Sequence, residues 1–287
     1  MNVDRIQITI GICFRVQWKE SVLKHSVTRG HDGRVTIAQV REISTENVWH
    51  WLSAGWQDLL KAPVQSLFYG VSLAFLSIAI SLAVFVSGSY YLLPLLLAGF
   101  ALLAPFLGIG PYSISRQIER AEDPDLKAAF LLFSRNTFHI LNMGLVLLLF
   151  FLVWVMVANL IFIIFHQGLT PSSWQGFVSL LLGSWEGVQL LVVGTYAGGI
   201  IALLVFTVSV ITIPMLIDRP VNLFDAIQTS WMAVRYNVAP MLLWAVILAS
   251  IISVGFLTLF TGLVVGFPLA AHATWHAYRD LVEEQEV

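Results

Sequence analysis

The sequence predicts an all-α polytopic membrane protein: six transmembrane helices arranged as three hairpins, each preceded by a cytoplasmic interfacial helix. Three observations carry that prediction. Of 287 residues, 58% are hydrophobic and only 11% charged, and the mean hydropathy is +0.83, far from the balance of a water-soluble domain. Four long windows, 62–115, 136–185, 187–217 and 236–278, hold no charged residue. The lysines and arginines all fall between those windows in a way that places them on one side of the membrane. The formal charge of −2 offers no surplus to neutralise a nucleic-acid backbone, and the single cysteine, Cys13, excludes an internal disulfide framework.

The spans follow in order from the uncharged windows, because an ionised side chain at the bilayer centre costs roughly 2.5–3.5 kcal/mol and a single crossing needs about 20 apolar residues. The first window has room for two crossings, near 64–86 and 91–112, joined by the small polar turn Ser87-Gly88-Ser89. The second holds one, near 139–165, followed by Gly168, Pro171 and serines that favour a turn. The apolar stretch 174–182 is too short to cross and reads as an outer interfacial or re-entrant piece. Span four runs near 188–217, and the last window again holds two, near 239–256 and 258–278.

Orientation comes from the basic residues. Eight precede span one, four lie between Arg116 and Arg135, two are Arg219 and Arg235, and Arg279 follows span six. The alternate turns contain none, so both termini are expected in the cytoplasm. Residues 1–47 do not read as a secretory signal, since Arg5, Arg15, Lys19 and Lys24 interrupt every apolar stretch. They read as a weakly ordered cytoplasmic extension to a membrane domain at 48–287.

A threefold pattern runs through the cytoplasmic stretches that precede the hairpins. Each sets a small residue beside an aromatic, then an apolar residue, then a cation: Gly55-Trp56, Leu59 and Lys61; Ala129-Phe130, Phe133 and Arg135; Ser230-Trp231, Val234 and Arg235. That spacing suits a helix lying in the headgroup layer, with Lys61, Arg135 and Arg235 as candidate contacts for lipid headgroups. The hairpin exits match as well. Pro105 to Arg116 and Pro268 to Arg279 have equal spacing, with Tyr112 and Trp275 in corresponding places, while Pro214 ends the second hairpin. Duplication and shared membrane constraints both account for the pattern.

The segments Ile213-Pro214-Met215-Leu216-Ile217-Asp218-Arg219, Ala239-Pro240-Met241-Leu242-Leu243-Trp244-Ala245 and His272-Ala273-Thr274-Trp275-His276-Ala277-Tyr278-Arg279-Asp280-Leu281 resemble the bacterial integral membrane family catalogued as domain of unknown function 2189, from about residue 48 onward. The resemblance implies a multi-pass protein of the bacterial inner membrane and supplies no reaction.

The sharpest local chemistry is His272 and His276, four apart and therefore on one helical face near the cytoplasmic interface. With His139, which begins span three at similar depth, they are candidate ligands for copper, zinc or haem. The plainer reading makes these histidines, Trp275 and Tyr278 an interfacial belt satisfied by headgroups and water, because the span itself carries no acid to complete a site. No cofactor is otherwise indicated. The spans lack Asp, Glu, Lys and Arg, which weighs against a proton-driven pump. No Gly-x-Ser-x-Gly elbow or His-Glu-x-x-His motif is present, so catalysis is unsupported. Gly194 and Gly198 form a small-xxx-small face that reads as a packing seam.

Three functions remain open: a non-catalytic subunit, assembly factor or scaffold of a membrane complex, ranked first; a carrier for a lipid or apolar small molecule; and a metal or haem protein. Expected partners are the bilayer and another membrane protein or a second copy of the chain. The topology makes a direct prediction. A reporter fused after Gly168 is expected on the outer side, and cytoplasmic activity there overturns the six-span model.

Overall fold

The computed structural model describes residues 40–127, 136–166 and 173–283. Its described residues form helices throughout, apart from turns and one antiparallel bridge between Val40 and Val282. Five stretches are helical, long and apolar enough to cross a membrane: 63–86, 92–119, 137–165, 185–218 and 238–257. They coincide with the first five predicted spans. Two of them are broken near one end. The second consists of α3 (Leu92–Leu107) and α4 (Ile109–Glu119), and the fourth of α7 (Trp185–Ser209) and α8 (Thr212–Asp218). The others are α2 (Pro63–Val86), α5 (Thr137–Phe165) and α10 (Val238–Leu257). The short apolar stretch is α6 (Trp174–Gly183), whose ten residues rise only about 15 Å.

The sixth predicted span is a helix too, α11 (Leu263–Leu281), but of a different kind. It starts later than 258 because residues 258–262 form a tight turn in which Leu259 and Phe260 take left-handed φ values of 53° and 69°. The Thr258 hydroxyl accepts the Gly262 N–H at 2.9 Å and closes that turn. Twelve of its 19 residues are buried, including His272, Thr274, Trp275 and Tyr278. This helix is less apolar because protein surrounds it: α1 (Glu46–Lys61), α2, α4, α8 and α10 all pack on it.

Glycines permit those approaches, as is usual where helices meet in lipid. A Cβ on Gly55 of α1 would lie 2.6 Å from the Ala273 nitrogen, and one on Gly70 of α2 would run into the Val264 carbonyl. Trp51 of α1 meets Trp244 of α10 edge-on at 5.7 Å. Pro63 at the first turn lets α2 start directly after α1, since a missing N–H costs nothing there.

The described part of the N-terminal extension is docked. Arg41 N–H donates to the Leu281 carbonyl at 2.9 Å, and Asn237 holds both the Arg41 carbonyl and the Ile43 N–H, at 2.9 and 2.8 Å. Residues 1–39 lie outside the described residues.

Two occurrences of the threefold pattern can be compared, on α1 and on α9 (Leu223–Tyr236); the middle one, with Arg135, falls outside the described residues. Gly55 and Ser230 are both pressed into helix contacts, and Ser230 donates to the Thr207 carbonyl at 2.7 Å. Trp56 and Trp231 both face outward, 45% and 47% exposed. The ends of α4, α8 and α11 converge on one carboxylate. Arg116 Nε lies 3.2 Å and Arg120 Nη2 3.4 Å from Asp218 Oδ1, while Arg279 Nη1 and Tyr278 Oη lie 3.4 and 2.9 Å from Oδ2. Cations of α4 and α11 thus meet on an acid supplied by α8.

The α1–α11 contact makes the first structural prediction. Gly55→Leu drives a side chain into the α11 backbone and should lower stability by about 1–3 kcal/mol, as overpacking does. Gly199→Ala, where a Cβ meets nothing within 4 Å, should leave the midpoint unchanged or raised. Thermal unfolding in detergent reads both.

Candidate functional site

The histidine face of α11 is filled by side chains from three other helices. Ser115 of α4 donates its proton to Asp58 Oδ2 of α1 at 2.7 Å. Its oxygen is then the acceptor for His272 Nδ1 at 2.8 Å. That leaves Nε2 as the acceptor nitrogen of the ring, 2.9 Å from the Ser66 hydroxyl of α2, which donates to it. His276 Nε2 donates to the same Asp58 oxygen at 2.7 Å. The result is a continuous chain, Ser66, His272, Ser115, Asp58, His276. It is closed at Ser66 and His272, both with no exposed surface, and open at His276, whose side chain is 28% exposed.

A histidine aimed at a serine hydroxyl and braced by a carboxylate has the parts of an activated nucleophile. Ser66 is fully enclosed, however, so no substrate atom can approach its oxygen in this conformation. What the chain does here is join four helices through satisfied polar groups. Burial pushes the Asp58 carboxyl up, but hydrogen bonds from His276 and Ser115, with the attraction of both histidines, outweigh it and leave the group below its ordinary value of 3.8.

His139 is not part of this cluster. It lies at the start of α5, where its Nδ1 accepts the Leu223 N–H at the head of α9 at 3.3 Å. Among the described residues no group of three or more His, Cys, Asp or Glu is placed to hold a metal ion. Both ring nitrogens of His272 and the Nε2 of His276 are occupied by protein partners. The expected aromatic belt also differs at its two named members. Trp275 and Tyr278 are buried, their polar tips held by Glu119 at 3.0 Å and Asp218 at 2.9 Å instead of by headgroups.

Of the candidate headgroup cations, Lys61 stands 4.0 Å from Asp58, and Arg235 ends α9 exposed, with no carboxylate in ion-pair range among the described residues.

On the opposite side of α11 from the histidines, α3, α7 and α10 stand apart and enclose a cleft of about 860 Å³. Its wall holds no Asp, Glu, Lys, Arg or His; the polar members, among them Thr195, Ser209, Ser253 and Thr274, are neutral. Ser209 Oγ is buried without a hydrogen-bond partner. A second cleft of about 430 Å³ lies between α3, α5, α6 and α7. The two share Ala98, Ala101, Leu102, Thr195, Gly199 and Ala202, so the partition between them is built mostly of small side chains. The expected seam on α7 is only partly filled: a Cβ on Gly198 would lie 3.2 Å from the Trp154 ring, while one on Gly194 or Gly199 would meet nothing within 4 Å.

The polar chain predicts an acid-sensitive, α1-dependent stability. Asp58→Ala strands two donors in a buried setting and should destabilise the protein by about 3 kcal/mol, whereas a surface change would move it by less than about 0.5. Because the folded-state pKa of Asp58 is depressed, its contribution is full above its ordinary value of 3.8 and is lost as pH falls through the lower folded value. The difference in unfolding midpoint between wild type and Asp58→Ala should therefore narrow as pH is lowered from neutrality to below 3.8.

No curated protein and no solved structure matches the chain. A family match begins at α3 and ends at Asp218, so it takes in the clefts' α3 and α7 walls and the shared carboxylate but leaves out the histidine helix. That is narrower than the resemblance read from residue 48 onward. Over residues 92–218 the chain is similar to the family described as "Predicted integral membrane protein (DUF2189)".

Proposed function

We propose that the chain is a non-catalytic membrane protein that binds, and carries, a lipid or other apolar molecule in the cleft between α3, α7, α10 and α11. One observation supports this above the rest: a cleft of about 860 Å³ whose wall bears no ionisable Asp, Glu, Lys, Arg or His. That volume lies within the range of roughly 300–1,000 Å³ used by small-molecule sites. In this reading α2 with α3–α4, α5 with α7–α8, and α10 with α11 are three hairpins of a bacterial inner-membrane protein. The helices α1 and α9 lie in the cytoplasmic headgroup layer, and both termini are cytoplasmic, in keeping with the one-sided distribution of lysine and arginine.

The sequence alone ranks a subunit, assembly factor or scaffold first, and one feature still favours that second reading. Gly194 and Gly199 leave open space on α7, a surface on which a helix of another protein, or of a second copy, can approach closely. The metal or haem reading has no comparable support, because the histidine nitrogens named above already have partners.

One purification separates the two. The protein is extracted from native membranes in mild detergent at near-endogenous expression, and retained proteins and lipids are identified by mass spectrometry. A lipid retained in stoichiometric amount by wild type and lost from Ala249→Trp, which fills the cleft, is the expected result. A stoichiometric protein partner with an empty cleft overturns the carrier reading in favour of the subunit.

A further inference from the structure

Resting on the cleft reading, we propose that the bound molecule is an anionic glycerophospholipid whose phosphate is held by Arg235, beside Trp231, while an acyl chain runs along α7 into the cleft. The inference comes from what stands at the cytoplasmic end of the cleft. A separate groove of about 340 Å³ lies there, with Trp231 and Arg235 of α9 at its rim and Leu203 and Leu204 of α7 in its wall. Ile200 and Leu203 line both the groove and the cleft, so the two share a wall. On α10 the groove ends at Val238 and the cleft begins at Leu242, one helical turn further on.

The charges sort along this path as they do in an amphiphile. The cleft cannot accommodate a charged headgroup, since nothing in its wall would answer it. Arg235 can. Among the described lysines and arginines, only Arg235 and Lys127 have no carboxylate in ion-pair range; Arg41, Lys61, Arg116, Arg120, Arg219 and Arg279 are all paired. A guanidinium presents a planar fork of donors that matches two phosphate oxygens. Trp231 precedes it by four residues, on the same helical edge, and is 47% exposed, the placement of an aromatic at a headgroup boundary. No acid lines the groove, so the ammonium of a zwitterionic headgroup would have no partner. That is why the anionic class is favoured.

The dimensions agree. From Val238 to Ser253, which lines the cleft, α10 rises about 22 Å. The hydrocarbon of one leaflet is about 15 Å deep. An acyl chain anchored at Arg235 therefore has its full length accommodated between α7 and α10.

The test uses full-length protein in mixed micelles with equal phosphatidylglycerol and phosphatidylethanolamine, with bound lipid read by native mass spectrometry. Wild type should retain phosphatidylglycerol in preference to phosphatidylethanolamine. Arg235→Gln should reduce that preference about fivefold, the effect of one cation near an anionic surface, while still retaining lipid. Ala249→Trp should lose both lipids. An unchanged preference in Arg235→Gln, or none in wild type, overturns the headgroup assignment and leaves the cleft reading standing. Undiminished binding to a monodisperse Ala249→Trp protein, or no binding to wild type, overturns the cleft reading itself. Arg235 is exposed and has no carboxylate in ion-pair range among the described residues, so its replacement tests recognition and not folding.

Discussion

A carboxylate can be buried only where donors meet it, and Asp58 is the point at which this fold satisfies that requirement. Its Oδ2 receives the Ser115 hydroxyl and the His276 imidazole, and through Ser115 it sets the tautomer in which His272 accepts from Ser66. Remove the acid and the donors on α4 and α11 are left desolvated and unmatched, a larger penalty than the net worth of any one of the bonds. The docking of α1 depends on it, and so does the enclosure of α11, which α1 covers. A second node on the same pair of helices, Asp280 with Asn47 and Trp51 at 2.8 and 2.9 Å, aligns the other end of α1.

This concentration of polar bonding at one end explains why the molecule is so unequal along its length. Around the last turns of α11 and α4 and along α8, side chains such as Ser115, Arg116, Thr212 and Tyr278 are enclosed and paired almost as in a water-soluble core. Farther from α1 the helices are mostly uniformly apolar, and lipid offers them no hydrophobic reason to associate. There the packing relies on local features, such as Gly70 against α11 or the Trp154 indole donating to the Leu95 carbonyl at 3.1 Å. Between those points α3, α7 and α10 separate, and the clefts result. The firm end holds the helix ends; the loose end provides the space.

Much of this was legible in the sequence, and the division is physical. The positions of the first five spans follow from where charges are excluded, a constraint that acts on each segment separately. The facing of His272 and His276 follows from helical geometry alone. The partners of those histidines do not, because Ser66, Ser115 and Asp58 lie 206, 157 and 218 residues away from the atoms they bond. One signal was available: Asp58 falls on the face of α1 that carries Val48, Trp51, Gly55 and Leu59, and an acid on an apolar face implies a buried donor. The span of His272 and His276 carries no acid, and the one that meets them is supplied by α1, a helix outside the spans. Likewise α11 was expected to resemble the other spans, whereas its His272, Thr274 and Tyr278 suit a helix enclosed by protein. The clefts were not legible at all, since they are a property of how helices diverge.

The pairing of α1 with α11 also has a meaning in time. These are the first and last helices of the described chain, and Asp58 and His276 are separated by 218 positions. At ordinary rates of synthesis, about 5–20 residues per second, the ribosome needs roughly 10–45 seconds to pass from one to the other. Throughout that interval the carboxylate and the apolar face of α1 have no permanent home, and the surface of the bilayer is where an amphipathic helix can wait. The helix that closes the structure is also among the least suited to remain in lipid by itself. Completion of the fold is therefore a ring closure, in which the first described helix is claimed by the last.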